Sequence, residues 1–247
     1  MEWADTALVL RVGDFRESDA WVRLLSRKHG VHSAFAFGGR RSRRRFCGCL
    51  DAFNLLSCRC RSSRDGRFLT MQEAVLLRGP HRLRAEWRRM GLAVNCARFT
   101  EALGVGRESA PAAFGLFAEL LELLESAVMP TPLLPLFFRL RLASDSGFSP
   151  NFAVCAACGS PAVDGGWFLV DEGQVRCAAC GSARARYAVA IPAAGLDLLT
   201  SVQQDSLASW GFAQPAPDVR RACARGIDGF VQYHLGLAWD EGRFRRV

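Results

Sequence analysis

Val31-His-Ser-Ala-Phe-Ala-Phe37 runs straight into Gly38-Gly-Arg-Arg-Ser-Arg-Arg-Arg-Phe46. The first seven residues alternate. Val31, Ser33, Phe35 and Phe37 fall on one side of an extended chain and smaller residues on the other, which predicts a half-buried strand. On this reading Phe35 and Phe37 share a face with Val31 and belong to the core. The residues that follow place Arg40, Arg41, Arg43, Arg44 and Arg45 within six positions. Five cations this close repel one another, so they are expected to be exposed and to face an anion. Each guanidinium is a flat fork that matches phosphate oxygens in pairs. Gly38 and Gly39 are expected to let the loop move. Phosphate contacts of this kind hold nucleic acid without reading its sequence. Phe35, Phe37, Phe46 and Phe53 lie close enough in sequence to offer rings to bases, although the shared face with Val31 assigns the first two to the core.

Working outward, four further strand signals surround this one. Thr6–Arg11 is a β-branched and aliphatic run, and Ala20–Ser26 carries Trp21, Val22, Leu24 and Leu25. Leu50–Arg61 and Phe68–Leu77 flank Asp65-Gly66, a strong hairpin turn. Five short strands before residue 80 predict a small closed β-barrel. From residue 81 the apolar period changes to that of helices. Leu83, Trp87, Met90, Val94 and Ala97 form one predicted stripe. Phe114, Phe117, Leu120, Leu121 and Leu124 form another, with Pro111 in its first turn. Helices are also expected from about Pro135 to Asp145, over 193–210 and over 217–239. In the last, Val219, Cys223, Ile227, Phe230 and His234 share a stripe.

Between these helices the string Cys155-Ala-Ala-Cys158-Gly-Ser recurs as Cys177-Ala-Ala-Cys180-Gly-Ser, with 18 residues separating the two pairs. This spacing is that of a four-thiolate zinc site. Two cysteines three apart can both point inward from one tight turn, and Gly159 and Gly181 relieve the backbone just after each pair. Trp167–Val170 and Gln174–Arg176, joined through Asp171-Glu172-Gly173, read as a hairpin that brings the two turns together. Four thiolates close the coordination shell, so one Zn2+ per chain is expected in a structural role. Tetrahedral sulfur geometry also admits iron. Cys47-x-Cys49 and Cys58-x-Cys60 are expected to fill layers of the barrel, and their residues suggest no function. Cys96 and Cys223 fall on core stripes.

Composition excludes several functions. Half of the 247 residues are apolar, which rules out global disorder. Of 32 basic residues only Lys28 is lysine, and no Gly-Lys-Ser/Thr string exists, so there is no phosphate-binding P-loop. The formal net charge of +8 is concentrated in residues 1–80, which hold 15 basic and 8 acidic side chains. Residues 151–247 hold nine of each. No secretion signal, membrane-spanning helix or catalytic constellation is visible, so a non-enzymatic, cytoplasmic protein is expected.

Several stretches are similar to one bacterial family. Ala7-Leu-Val-Leu-Arg11, Glu17-Ser-Asp19, Leu24-Leu-Ser-Arg-Lys-His-Gly30, Gly38-Gly-Arg-Arg-Ser-Arg43 and Gln72-Glu-Ala74 resemble the N-terminal domain of RecO proteins. Leu136-Phe-Phe-Arg-Leu140, Gly147-Phe-Ser-Pro-Asn151 and Cys155-Ala-Ala-Cys-Gly159 resemble that family's approach to its zinc module. The resemblance implies an α+β chain of four parts: an oligonucleotide-binding barrel over 1–80, a helical domain over 81–150 and 189–247, and a zinc-ribbon-like insertion over 151–188. It implies binding of single- and double-stranded DNA through Arg40, Arg41, Arg43, Arg44 and Arg45, and metal binding through Cys155, Cys158, Cys177 and Cys180. It further implies strand annealing and work with RecR. It implies remodelling of the single-stranded-DNA-binding protein, whose tail would dock in the helical domain, so that RecA loads at gaps. Two other readings fit the same residues. One is a scaffold that docks proteins through its helices and metal module. The other is a zinc-ribbon RNA-binding or transcription-associated protein.

Overall fold

The computed structural model describes residues 2–181 and 186–247. Ser182, which ends the second Cys-Ala-Ala-Cys-Gly-Ser string, lies outside the described residues, as do positions 183–185 of the expected 151–188 insertion. The chain forms two compact units, Met1–Ala127 and Val128–Val247. The stretch 81–150 is therefore divided between them.

In the first unit, β1 (Glu2–Asp14), β2 (Ala20–Ser26), β3 (Gly30–Ala36), β4 (Leu55–Ser62) and β5 (Leu69–Arg78) close on themselves in the order β1-β2-β3-β5-β4. Neighbours are antiparallel except where β3 meets β5, with Ala34 beside Leu69 and Phe35 beside Thr70. Side chains alternate across each strand, so Ala7, Val9, Val22, Leu24, Leu56, Cys58, Cys60 and Met71 fill the interior.

β3 settles which of its faces is inside, and the answer reverses the expectation. Ala34 and Ala36 are buried in the barrel, whereas Val31 and Phe35 are half-buried on its outer face and Phe37 is exposed just beyond the strand. The narrow interior takes the small residues, and the large ones are turned outward. Cys58, Cys60 and Cys49 do pack in the barrel core. Cys47 does not, because it sits on an exposed turn rather than a strand.

Three helices follow the barrel, and the two long ones cover part of its outside. α1 (Arg82–Ala85) is a single turn that ends where Glu86 takes an extended conformation. α2 (Trp87–Leu103) therefore starts in a new phase. Of the predicted stripe, Leu83 and Ala97 are buried, Met90 and Val94 half-buried, and Trp87 is 78% exposed; the buried face of α2 is Arg89, Ala93, Cys96, Ala97, Phe99 and Thr100. The buried Arg89 guanidinium donates to Glu86 at 2.7 Å and to the Leu124 carbonyl at 2.9 Å. α3 (Ala110–Glu125) carries proline in its first turn and buries Phe117, Leu120, Leu121 and Leu124 as its period predicts. Its last residue, Glu125, accepts the backbone N–H groups of His81, Arg82 and Leu83 at 3.1, 3.1 and 2.7 Å. That satisfies donors that an α-helix otherwise leaves open at its start.

The second unit combines α4 (Leu134–Asp145), α5 (Ala193–Gln204), α6 (Leu207–Trp210) and α7 (Pro217–Leu235) with a sheet of β6 (Asn151–Cys155), β7 (Gly166–Leu169), β8 (Gln174–Cys177) and β9 (Ala188–Ile191), in the order β6-β8-β7-β9, with α5 against β6 and α7 against β9. α7 buries Val219, Cys223, Ile227 and Phe230. It stops at Gly236, which adopts a left-handed conformation, rather than running on to 239. β10 (Leu237–Asp240) and β11 (Arg243–Arg246) then form a terminal hairpin. The sheet packs on α7 through Phe168 against Phe230, and the His234 Nε2 donates to the Val170 carbonyl at 2.7 Å.

Candidate nucleic-acid interface and metal centre

The arginine loop is held at both ends. At its start the Arg40 backbone N–H donates to the Ser18 carbonyl at 3.0 Å, and the Arg40 side chain bonds Asp14 at 2.8 Å. At its end Arg45 donates through its side chain to the Phe37 carbonyl at 2.7 Å, and its own carbonyl accepts from the Ala74 N–H at 2.8 Å. Gly39 is buried, and a Cβ there would lie 2.7 Å from Leu50 and 2.9 Å from the Ala36 carbonyl. This glycine serves close approach, not the mobility expected from sequence.

Between the anchors the side chains face outward. Arg41 is exposed, with its guanidinium 3.8 Å from an equally exposed Glu17. Arg43 and Arg44 are exposed and make no hydrogen bond or ion pair among the described residues. The five arginines thus divide into two that brace the loop and three that project from it. Phe46 and Phe53, named from sequence as candidate stacking rings, are buried at 2% and 1% exposure and offer no face to a ligand. Phe46 plugs the barrel core, while Phe53 stacks on Phe117.

The four cysteines are brought together by the parallel pairing of β6 with β8, which sets Cys155 beside Val175, while the expected β7–β8 hairpin returns the chain for that pairing. β6 ends at Cys155 and β8 at Cys177, and each Cys-Ala-Ala-Cys then turns back on itself. In each turn the glycine N–H closes the loop, Gly159 onto the Cys155 carbonyl at 2.9 Å and Gly181 onto the Cys177 carbonyl at 3.0 Å. Both glycines have positive φ, +72° and +40°. The sulfurs of Cys155, Cys158, Cys177 and Cys180 all lie within 4.8 Å of one another, with 3.9 Å between Cys158 and Cys177. A tetrahedral thiolate shell with metal–sulfur bonds of about 2.3 Å has sulfurs roughly 3.8 Å apart. The donor set therefore could hold a metal ion.

The local electrostatics agree with this. Backbone N–H groups, Cys177's first and Cys158's next, aim at the Cys155 sulfur and bring its thiol down to about 6. The Ser160 backbone N–H lowers Cys158 likewise. Cys180, hydrogen-bonded first to Cys158, is pushed up to about 12. Like charges cannot all develop in one site unless a cation replaces the protons. By contrast Cys60 in the barrel is raised by its bond to Cys58 and by burial, as expected of an inert core thiol.

Comparison with known proteins identifies the family. The family model described as Recombination protein O N terminal matches residues 1–80, and that described as Recombination protein O C terminal matches residues 84–241. The chain belongs to the RecO family. It is 53% identical over 252 residues to the DNA repair protein RecO of Nitratidesulfovibrio vulgaris (strain DP4), with both chains fully covered. It is 45% identical to that of Oleidesulfovibrio alaskensis and 44% identical to that of Lawsonia intracellularis, again covering all of each chain. The gap between the two RecO models, at residues 81–83, falls where β5 has ended and α1 begins. Among the described residues no helix is long and apolar enough to cross a membrane.

Proposed function

We propose that this chain is a DNA-binding recombination mediator in DNA repair, acting by binding and release rather than by covalent chemistry. The observation that carries this reading is the braced loop from which Arg41, Arg43 and Arg44 project without strong internal partners. In a member of a DNA repair family, an unneutralised cluster of guanidinium groups is best explained by a phosphate backbone. The strand order β1-β2-β3-β5-β4 in a small barrel supports an oligonucleotide-binding fold for residues 1–80. We assign Arg40, Arg41, Arg43, Arg44 and Arg45 to DNA, with Arg40 and Arg45 also bracing the loop. Contacts to backbone alone tolerate any sequence, so single and double strands both bind and two complementary strands can be held side by side.

We assign Cys155, Cys158, Cys177 and Cys180 to one structural Zn2+. A closed thiolate shell leaves no position for water or substrate, so the ion supports the 151–188 module and takes no part in chemistry. RecR and the single-stranded-DNA-binding protein are the proposed partners, with RecA loading as the outcome. The experiment is annealing of complementary single strands coated with single-stranded-DNA-binding protein, with and without RecR. Annealing by the wild type, lost when Arg41, Arg43 and Arg44 are all alanine, is expected. Annealing unchanged in that variant would remove the loop from the mechanism.

A further inference from the structure

Four phenylalanines from three separate segments meet on the outer surface of the barrel. Phe15 follows β1, Phe35 lies on β3, Phe37 follows β3 and Phe68 precedes β5. Phe35 is the hub. Its ring lies 4.7 Å from Phe15, 6.0 Å from Phe37 at an interplanar angle of 15°, and 6.1 Å from Phe68 at 84°. The outer three are open to solvent at 45%, 38% and 44% exposure. Exposed rings gathered into one patch mark an interaction surface. The barrel does not need them for its own core, because β3 fills the interior with Ala34 and Ala36.

The charge around the patch says what it meets. The Arg16 guanidinium sits 5.2 Å over the Phe15 ring. Phe37 is tied to the arginine loop through its carbonyl, which accepts from Arg45. Arg67 adjoins Phe68, and Arg41, Arg43 and Arg44 project from the neighbouring loop. One strand across from Phe35 lies its register partner Trp21, with the Arg11 guanidinium 4.9 Å over the indole. Flat π surfaces edged by cations match a chain of flat rings on an anionic backbone. An apolar peptide would have no use for the cationic rim. A duplex would reach the cations but keep its base faces hidden.

We propose that Phe15, Phe35, Phe37 and Phe68 form a stacking platform for unpaired bases, adjoining the loop that holds the backbone of the same single strand. The proposal rests on the DNA-binding reading above and deepens it. The arginines give affinity to any nucleic acid, and the rings add affinity only where bases are unstacked. The platform is thus the element that distinguishes single strands from duplex.

The test is titration of the full-length protein with an oligothymidine strand carrying one 2-aminopurine, and separately with a duplex of equal length, at several salt concentrations. The Phe37→Ala/Phe68→Ala variant is expected to bind the single strand about tenfold or more weaker, with an unchanged salt slope, unchanged duplex affinity and no quenching of the 2-aminopurine. Phe37→Tyr/Phe68→Tyr restores single-strand binding, and Phe37→Leu/Phe68→Leu does not. Equal losses on single strand and duplex, or wild-type single-strand affinity in the alanine or leucine pair, would overturn the platform. Because these side chains are exposed, an unchanged thermal unfolding curve shows that the variants are folded. The Arg41→Ala/Arg43→Ala/Arg44→Ala variant reads the underlying assignment separately. It lowers affinity for both nucleic acids and flattens both salt slopes if the loop binds DNA, and alters neither if it does not.

Discussion

The arginine loop and the cysteine turns solve one problem in opposite ways. Each crowds like groups into a few residues and so creates charge that must be neutralised. The four sulfurs converge to within 4.8 Å and enclose a space for a cation. The arginines diverge, two bracing the loop against Asp14 and the Phe37 carbonyl while three face solvent. On the proposed assignments, convergence is answered by a cation inside the molecule and gives stability, and divergence is answered by an anion from outside and gives binding. The difference comes from the frame. The parallel pairing of β6 with β8 brings two turns together, whereas the basic loop is one segment anchored to the barrel at both ends.

The hardest way to break this comparison is to open the metal shell. Cys158→Ser is expected to lose stoichiometric metal and to cost several kcal/mol of folding energy in residues 128–247, because in such sites binding energy is folding energy. Metal analysis together with thermal unfolding checks it. Zinc at one per chain in the variant would show that the thiols are not the ligands. A chelator should reproduce the unfolding shift in the wild type.

A second prediction uses a different buried cation. Removing Arg89 by Arg89→Ala strands the Leu124 carbonyl and leaves Glu86 without its partner. A loss of roughly 2–3 kcal/mol is expected, seen in the denaturation midpoint and leaving metal content and DNA affinity alone. A response in either would mean that the two regions are coupled.

Glycines sharpen the contrast at smaller cost. Gly159 and Gly38 both sit at positive φ, +72° and +67°. Alanine at either costs about 1 kcal/mol in backbone strain. The expected outcomes differ in kind: Gly159→Ala weakens metal affinity, and Gly38→Ala weakens DNA binding. Measuring both ligands on both variants decides this, and a crossed pattern would reverse the assignments.

Glu125 is a third arrangement, a charge satisfied by backbone alone. Burial works against its carboxylate, but the N–H groups of Leu83, Arg82 and His81 outweigh it and hold the carboxyl below its usual value of 4.5. A group whose folded value is depressed stabilises the fold above its unfolded value and loses that contribution as pH falls through the folded one. Glu125→Gln should therefore cost about 1 kcal/mol at neutral pH and little once the wild-type side chain is protonated, well below pH 4.5. Unfolding midpoints of the two proteins at pH 7 and across the acid range test this. A constant gap between them at every pH would contradict it.

Much of this was legible in the residues. Strand positions were, since β2 begins and ends at Ala20 and Ser26 as the apolar run does. The converging cysteines were legible because a doubled string with fixed spacing constrains geometry by itself. What escaped were facts set by packing. Alternation in β3 cannot say which face is inside, and the narrow barrel chose the alanines. Trp87 leaves the buried stripe because one extended residue, Glu86, separates α1 from α2 and resets the helical phase. Phe15 and Phe68 carry no sequence signal as ring partners, because they are 20 and 33 positions from Phe35 and meet it only once the barrel closes.

The central claim is that three projecting arginines meet phosphates while the bracing ones chiefly hold the loop. The most direct measurement is the salt dependence of binding to a short single strand by the wild type, by Arg41→Ala/Arg43→Ala/Arg44→Ala and by Arg40→Ala. Each phosphate contact contributes about 0.7 to the slope of log affinity against log salt on a single strand. The triple variant is predicted to flatten the slope by about 2 and to lose most of the affinity, with Arg40→Ala changing the slope by less than one contact. Equal slopes in the wild type and the triple variant would contradict the account.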